Sequence, residues 1–320
     1  MNPQPDTLNY WILLGSVAPV FAIIAAGFII RRALWLTAEA DQSLLRMGVN
    51  LLYPCLILDS ILGNPALHDI GNITIAPVVG FLTVCFGYAL AFAVARMLGL
   101  DGKSAGTFAF TTGLYNYGYI PVPLVQSRYD RETLGVLFTH NLGVEISLWT
   151  VGVIILSAAS PRESWRQFFN APVMAILISL LLNFAHGGAW VPGFLLTTAH
   201  MLGQSAVPLA LVLTGASLAD QLKSVEPCGG LRVGAGASAL RLGLLPLLFL
   251  LLARFLPCSV ELKRVIVIQA AMPSAMIPIV LAKHYGGDTR IALTVVLATT
   301  LLGLLTIPLW LQVGLAFVGV

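Results

Sequence analysis

The chain has 320 residues, of which 58% are hydrophobic and only 10% are charged. Soluble globular chains carry about a quarter charged residues, so this composition predicts an all-α integral membrane protein that crosses the bilayer many times. The net charge of +3 is small, and the basic residues stand singly or in pairs. This pattern disfavours nucleic acid as a partner and leaves membrane lipid as the surrounding medium. The four cysteines have no metal-ligand spacing, so no metal site is expected.

Ten stretches are long and apolar enough to predict transmembrane spans, at about 20 residues for each crossing. In chain order, the predicted spans are Trp11 to Ile30, Leu44 to Leu62, Ile73 to Ala95, Ser104 to Ser127, Thr133 to Ser157, Ala171 to Ala185, Val191 to Ala219, Val233 to Ala253, Val265 to Ala282 and Ile291 to Phe317. Spans 6 and 7 form one charge-free run, which we divide at Gly187, Gly188 and Pro192 because these residues favour a turn.

The distribution of basic residues predicts how the spans are oriented. No lysine or arginine precedes span 1, whereas Arg31 and Arg32 follow it directly. Most other basic residues fall in the connections that would then face the same side as these arginines. By the positive-inside rule, the protein is predicted to be a multi-pass protein of the cell membrane, plasma or inner, with both termini external.

Weak internal similarity divides the chain into two halves. The segment Tyr129 to Thr133 after span 4 resembles Tyr285 to Thr289 after span 9, and Asn50 and Gln204 each precede a proline by four residues. The predicted organisation is a first repeat at 1–158, a cytoplasmic connector at 159–170 and a second repeat at 171–320. Because each repeat has five spans, the two must have opposite orientations, which is the inverted-repeat plan of secondary transporters.

Spans 4 and 9 contain matching sequences that should break their helices. These are Gly113 to Pro123, GLYNYGYIPVP, and Gln269 to Pro278, QAAMPSAMIP. Proline lacks an amide hydrogen and clashes with the carbonyl four residues back, so Pro121 should free the carbonyl of Tyr117. Broken backbone in a bilayer must be packed within protein or line a cavity, and a matched pair of breaks indicates a transport site. The alternative is a pair of kinks filled by helix packing.

Five motifs resemble those of the auxin efflux carrier family, which includes bacterial malonate-type permeases and the plant PIN carriers. They are NLLYPCLIL at Asn50 to Leu58, NYGYIPVPLV at Asn116 to Val125, AVPLALVLTGASL at Ala206 to Leu218, MPSAMIPIVLAKHYGGD at Met272 to Asp288 and TIPLW at Thr306 to Trp310. The resemblance implies ten helices in two inverted five-helix repeats, with helices 4 and 9 broken where they cross, and an organic anion as substrate.

The resemblance also implies a substrate site at that crossing, with Asn116, Pro123, Pro273 and Pro278 as its counterparts here. Many bacterial members instead have glycine at the position of Pro121, and asparagine followed by a small residue at Ile277 and Pro278. Helix starts attract anions, and a neutral amide can donate to a carboxylate. The full predicted set of substrate-binding residues is Asn116, Tyr117, Gly118, Pro121, Pro123, Pro273, Ser274, Ile277, Pro278, Asn50 and Gln204. For Asn50 and Gln204, local hydrogen bonding beside a proline is an equal alternative.

Charged residues in the middle of spans form a second candidate group. Arg241 lies in span 8, where insertion costs about 2.5 to 3.5 kcal/mol, and Glu145 in span 5 is a candidate counter-ion. Asn141 shares a helical face with Glu145, and His140 adjoins it. We hypothesise that these four residues couple ion or proton movement to transport. Alternatively, Arg241 attracts the anion directly, forms a purely structural ion pair, or extends along a tilted helix to the interface.

The sequence therefore predicts a secondary transporter that moves a small organic anion, such as a mono- or dicarboxylate or an auxin-like acid, by alternating access. A non-transporting receptor on the same fold is the alternative. An intramembrane enzyme is disfavoured because the chain has neither an H-E-x-x-H nor a G-x-S-x-G motif. No cofactor is expected. Coupling to Na+ or H+ and assembly into a homo-oligomer are left open by the sequence.

Overall fold

The structure is a computed structural model and describes residues 10–157, 168–185, 190–222 and 230–320. These ranges are built from helices. In chain order the helices are α1 Tyr10–Arg32, α2 Ala38–Ile61, α3 Ile70–Met97, α4 Gly102–Gly113, α5 Pro121–Arg128, α6 Arg131–Leu156, α7 Ala171–Phe184, α8 Gly193–Gln221, α9 Leu231–Phe255, α10 Val260–Ala271, α11 Ile277–His284 and α12 Thr289–Val318. The predicted turn at Gly187 and Gly188 and most of the connector at 159–170 lie outside the described residues.

Seven of these helices are long and apolar enough to cross a membrane: α1, α2, α3, α6, α8, α9 and α12. The three other predicted spans have a different form. Span 6 is the short apolar helix α7, of 14 residues. Spans 4 and 9 are each divided into two shorter helices, α4 with α5 and α10 with α11. The structure thus confirms a helical protein with many apolar membrane-spanning candidates.

Proline positions explain where the two divided helices resume. Pro121 is the first residue of α5, and Pro278 is the second residue of α11. A proline is tolerated in the first turn because the amide that it lacks would have no partner within the helix. These prolines therefore begin a second helix and do not kink a continuous one.

The two interrupted segments lie against each other as a short antiparallel pair, with Tyr115 opposite Ser274. The amide of Asn116 donates to the carbonyl of Pro273 at 2.7 Å, and the amide of Ala275 donates to the carbonyl of Leu114 at 2.9 Å. We call the paired segments 114–116 and 273–275 the crossing. Backbone groups that leave their helices thus find partners in each other, as a buried break requires.

Small residues allow close contacts between two pairs of long helices. α1 packs against α8 and α3 packs against α6. A Cβ atom added to Gly27 or Gly215 would overlap a backbone carbonyl across the α1–α8 contact, and Gly143 has the same relation to Pro77 between α6 and α3. Packing of this kind is typical of membrane helices, which associate through small residues.

One buried cation joins three helices at their ends. Arg31 at the end of α1 is only 4% exposed and forms ion pairs with Asp41 of α2 and with Asp220 of α8, the latter at 3.1 Å. It also donates to the carbonyl of Leu36 at 2.7 Å. Helices α1, α2 and α8 are thereby tied together at these ends.

Candidate substrate cavity at the helix breaks

A cavity of about 320 Å³ lies beside the crossing. The crossing and the residues that follow it towards α5 and α11 supply one wall, and α2, α6 and the start of α7 with Asn170 supply the others. Six predicted residues line it: Asn116, Tyr117, Gly118, Asn141, Glu145 and Ile277. Its aromatic residues are Tyr53, Tyr117, Tyr119, Phe138 and Trp149. No lysine, arginine or histidine of the described ranges lines it.

Asn116 contributes both a structural acceptor and an unused donor. Its Oδ1 accepts hydrogen bonds from the amides of Gly118 and Ile120, each at 3.3 Å, and so stabilises the turn that leads into α5. The side chain is 95% buried and lines the cavity. Its Nδ2 has no acceptor among the residues that the structure describes. A ligand oxygen in the cavity would supply the missing partner.

Asn141 of α6 connects the two broken helices. Its Nδ2 donates to the carbonyl of Tyr117 at 2.7 Å, and its Oδ1 accepts from Gln269 of α10 at 3.2 Å. The carbonyl of Tyr117 is the one that Pro121 was predicted to free, and a side chain from another helix satisfies it. Neighbouring His140 is buried, with its ring 6.3 Å from that of Tyr115, and does not line the cavity.

Glu145 lies one helical turn beyond Asn141 and is held by three neutral donors. Its Oε1 accepts from the Tyr117 phenol at 2.9 Å, and its Oε2 accepts from the Trp149 indole at 2.8 Å and from Asn170 at 3.5 Å. Tyr117 thus links the carboxylate to the break itself. A π-helical turn, Leu148–Gly152, follows directly, and such turns are frequent at functional sites.

Arg241 is fully buried but does not pair with Glu145. Its guanidinium lies 5.3 Å from the ring centres of both Tyr115 and Phe249, and its Nη2 donates to the carbonyl of Ala270 at 3.4 Å. Its Nε and Nη1 have no acceptor in the described part of the chain. Aromatic faces and a carbonyl therefore replace the counter-ion that the sequence suggested, because Arg241 packs on Tyr115 whereas Glu145 is turned towards the cavity.

The other predicted residues lie away from the cavity wall. Asn50 is exposed and donates to the carbonyl of Arg46, four residues earlier, at 2.9 Å. Gln204 is also exposed. Ser274 is buried in the crossing, where its amide donates to Thr299 at 3.3 Å. The four prolines predicted for the site, Pro121, Pro123, Pro273 and Pro278, shape the breaks and do not line the cavity.

Sequence reasoning missed much of the apolar wall and one polar residue. Trp149, Tyr53 and Phe138 lie in apolar spans, where nothing distinguishes a cavity-lining ring from a packing ring. Asn170 was assigned to the connector, but its side chain caps α7 by accepting from Val173 at 3.0 Å. The available signal was an asparagine directly before Ala171 and Pro172, which is typical of a helix start.

Comparison with known proteins identifies the general activity. The sequence model of a family described as "Membrane transport protein" matches residues 12–164 and 160–311. An uncharacterized transporter of Methanothermobacter thermautotrophicus is 27% identical over 311 residues, covering 93% of this chain and 98% of the relative. One from Methanocaldococcus jannaschii is 23% identical over 305 residues, covering 93% and 94%. One from Schizosaccharomyces pombe is 31% identical over 114 residues, covering 32% of this chain and 25% of the relative.

The family match extends over nearly the whole chain, and the relatives that align over most of it are named as transporters. These findings agree with the apolar helices and the resemblance of the motifs, and they point to transport, not to an enzyme. The chain belongs to the membrane transport protein family, which is the auxin efflux carrier family.

Proposed function

We propose that the protein is a secondary transporter that moves a small organic anion, a mono- or dicarboxylate or an auxin-like acid, across the cell membrane by alternating access. The observation that carries this proposal is the position of the cavity against the two paired helix breaks. A matched pair of broken helices is the feature by which many transporters bind substrate.

The cavity chemistry supports a carboxylate at the crossing. The unpartnered Nδ2 of Asn116 is a neutral donor, and it costs less to desolvate than a charged group. The segment that leads into α5 and the first residue of α11 also line the cavity, and the partial positive charge of a helix start favours an anion. With no lysine or arginine among the described lining residues, the anion would be held without a strong ion pair, which favours its release.

We further propose that the spans form two inverted five-helix repeats. On this plan α1 to α6 make the first repeat, with α4 and α5 as one broken span. Helices α7 to α12 make the second, with α10 and α11 as its counterpart. The contact between the two breaks supports this correspondence, since equivalent elements of inverted repeats meet at the pseudo-symmetry axis.

Two helical groups provide a route to alternating access. Helices α1, α2, α7 and α8 would form a scaffold, tied in part by Arg31 and by the close α1–α8 contact. The remaining helices carry the crossing, with Asn141 joining both of its breaks. Tyr53 and Val173 face the cavity from the first group, and Asn116 and Glu145 face it from the second. Movement of one group against the other would therefore open and close the cavity.

Uptake by purified protein in liposomes tests the proposal. Labelled malonate, succinate, butyrate and indole-3-acetate would be offered with and without imposed Na+ and H+ gradients, and protein-free liposomes would give the background. Saturable uptake of at least one carboxylate is expected, and the gradient that drives it identifies the coupling ion. Binding without flux would instead favour the receptor alternative. The absence of both binding and flux for every carboxylate would contradict the proposal.

A further inference from the structure

Glu145 gives the cavity a second polar end. Asn141 touches the break through the Tyr117 carbonyl, and Glu145 follows it by four residues, which is about one helical turn or about 5.4 Å. The side chain of Tyr117 spans a longer interval, because its backbone follows Asn116 in the break and its phenol, at the far end of the side chain, bonds Glu145 at 2.9 Å. The crossing and the carboxylate therefore mark two sites separated by about the length of a tyrosine side chain.

The carboxylate of Glu145 has bonding capacity left for a ligand. Two carboxylate oxygens offer about four acceptor positions, and the three donors here use three of them. All three donors are neutral. No lysine, arginine or histidine of the described residues lines the cavity, so the negative charge has no cationic partner there. A buried charge without a partner is costly, and a cationic group on the ligand would remove that cost.

The rings around Glu145 are also suited to a cation. Trp149 and Tyr117 donate to its carboxylate through the N–H and O–H at their ring edges, and the rings of Tyr119 and Phe138 line the same cavity. The face of an aromatic ring attracts an ammonium group, most strongly when water is excluded. A carboxylate combined with several aromatic rings is a chemistry that recognises an amine, and a simple carboxylic acid would make no use of it.

We propose that the substrate is a zwitterion, a short ω-amino acid whose carboxylate binds at the crossing and whose ammonium group pairs with Glu145. This inference rests on the proposed function, since it takes the crossing as the carboxylate site. It narrows the mono- or dicarboxylate of that proposal to a monocarboxylate that also carries an ammonium group, because a second negative charge beside Glu145 would otherwise be uncompensated. An α-amino acid carries its ammonium and carboxylate groups on the same carbon, so it is too short to place one at the crossing and the other at Glu145.

Binding and liposome uptake of labelled 4-aminobutyrate test the proposal, with three unlabelled competitors. Butyrate lacks the ammonium, butylamine lacks the carboxylate, and 2-aminobutyrate is the isomer with adjacent charges. We expect the affinity for 4-aminobutyrate to exceed the affinity for each competitor by about tenfold or more. Glu145→Gln should weaken 4-aminobutyrate binding by about tenfold or more without weakening that of butyrate, since it removes one partner of a buried charge pair. Glu132→Gln, on the same helix but outside the cavity, is the matched control and should bind 4-aminobutyrate normally.

Several results would overturn the inference and leave the proposed function standing. These are equal binding of butyrate or 2-aminobutyrate, unchanged 4-aminobutyrate affinity in Glu145→Gln, or transport of other carboxylates with no binding of 4-aminobutyrate. The comparison of ligands on the unaltered protein decides the matter even if Glu145→Gln fails to fold. Failure of every carboxylate to bind or cross would contradict the proposed function as well.

Discussion

The backbone amide of Asn116 donates to the carbonyl of Pro273 at 2.7 Å, so one broken helix is bonded to the other by main-chain atoms. A second main-chain bond, from Ala275 to Leu114, closes the pair. Because these bonds involve no side chain, the crossing should persist when the side chain of Asn116 is changed. Loss of the side chain should therefore leave the pairing of the two breaks in place.

Replacing Asn116 by alanine should lower substrate affinity by about tenfold or more, which corresponds to about 1.4 kcal/mol. The change removes the unpartnered Nδ2 donor in the cavity. It also removes the Oδ1 acceptor for Gly118 and Ile120, so the free energy of unfolding should fall by about 1 kcal/mol, as for a lost helix cap. Equilibrium binding and thermal unfolding of purified protein measure the two effects.

Thr112→Val is the matched control, four residues earlier in the chain and near the end of α4. The hydroxyl of Thr112 is buried, has no partner in the described residues and does not line the cavity. Its removal should leave affinity unchanged. Normal affinity in Asn116→Ala would exclude Asn116 from the binding site.

Arg241 and Glu145 should behave as independent residues. A buried ion pair loses about 3 to 5 kcal/mol when one partner is removed, because the other charge is left unpaired. Here Arg241 contacts Tyr115, Phe249 and a carbonyl, and Glu145 is held by neutral donors. The double variant Arg241→Met with Glu145→Gln should therefore show additive changes in unfolding free energy, within about 0.5 kcal/mol.

Unfolding in mixed micelles of the two single variants and the double variant gives this coupling energy. Tyr117→Phe combined with Glu145→Gln serves as the positive control, because these residues share a hydrogen bond of 2.9 Å. A coupling energy of several kcal/mol between Arg241 and Glu145 would show that they do pair, as the sequence first suggested.

The sequence predicted the breaks well and the cavity only in part. Proline chemistry is local, so the prolines of spans 4 and 9 identified the broken segments without knowledge of the fold. Which side chains face a cavity depends on helix rotation and packing, and Asn50 and Gln204 show that a shared spacing from proline does not specify a face. The need of Arg241 for a partner was evident from the sequence, but sequence alone could not show that two aromatic rings and a carbonyl stand where a carboxylate was expected.

Gly215→Ala should destabilise the protein by about 1 to 3 kcal/mol, the usual cost of overpacking. Its new Cβ would overlap the backbone carbonyl of Ile24, and backbone cannot yield as a flexible side chain can. Gly15→Ala, on the same pair of helices, is the control because no atom lies within 4 Å of its added Cβ. Thermal unfolding in detergent should separate the two. Equal midpoints would contradict the close packing of α1 against α8.

Stability in acid should depend in part on Asp130, which lies in the turn between α5 and α6. Its Oδ1 accepts from the amide and hydroxyl of Thr133 at 2.9 and 2.7 Å, and its Oδ2 accepts from Arg264 at 3.2 Å. Burial raises the pKa of Asp130, but the hydrogen bonds from Thr133 and the charge of Arg264 outweigh it, so that the pKa is lowered overall. The folded state therefore favours the ionised carboxylate.

Because the pKa of Asp130 is lower in the folded protein, its contribution to stability is present above the ordinary aspartate value of about 3.9 and is lost as the pH falls through the folded value. Asp130→Asn keeps an acceptor for Thr133 but does not titrate. Its thermal midpoint should be lower than that of the unaltered protein at neutral pH, and the difference should shrink below about pH 3.9. Asp101→Asn is the control, since Asp101 precedes α4 without a side-chain capping bond. A difference between Asp130→Asn and the unaltered protein that stayed constant down to the lowest pH would show that the carboxylate charge of Asp130 does not stabilise the fold.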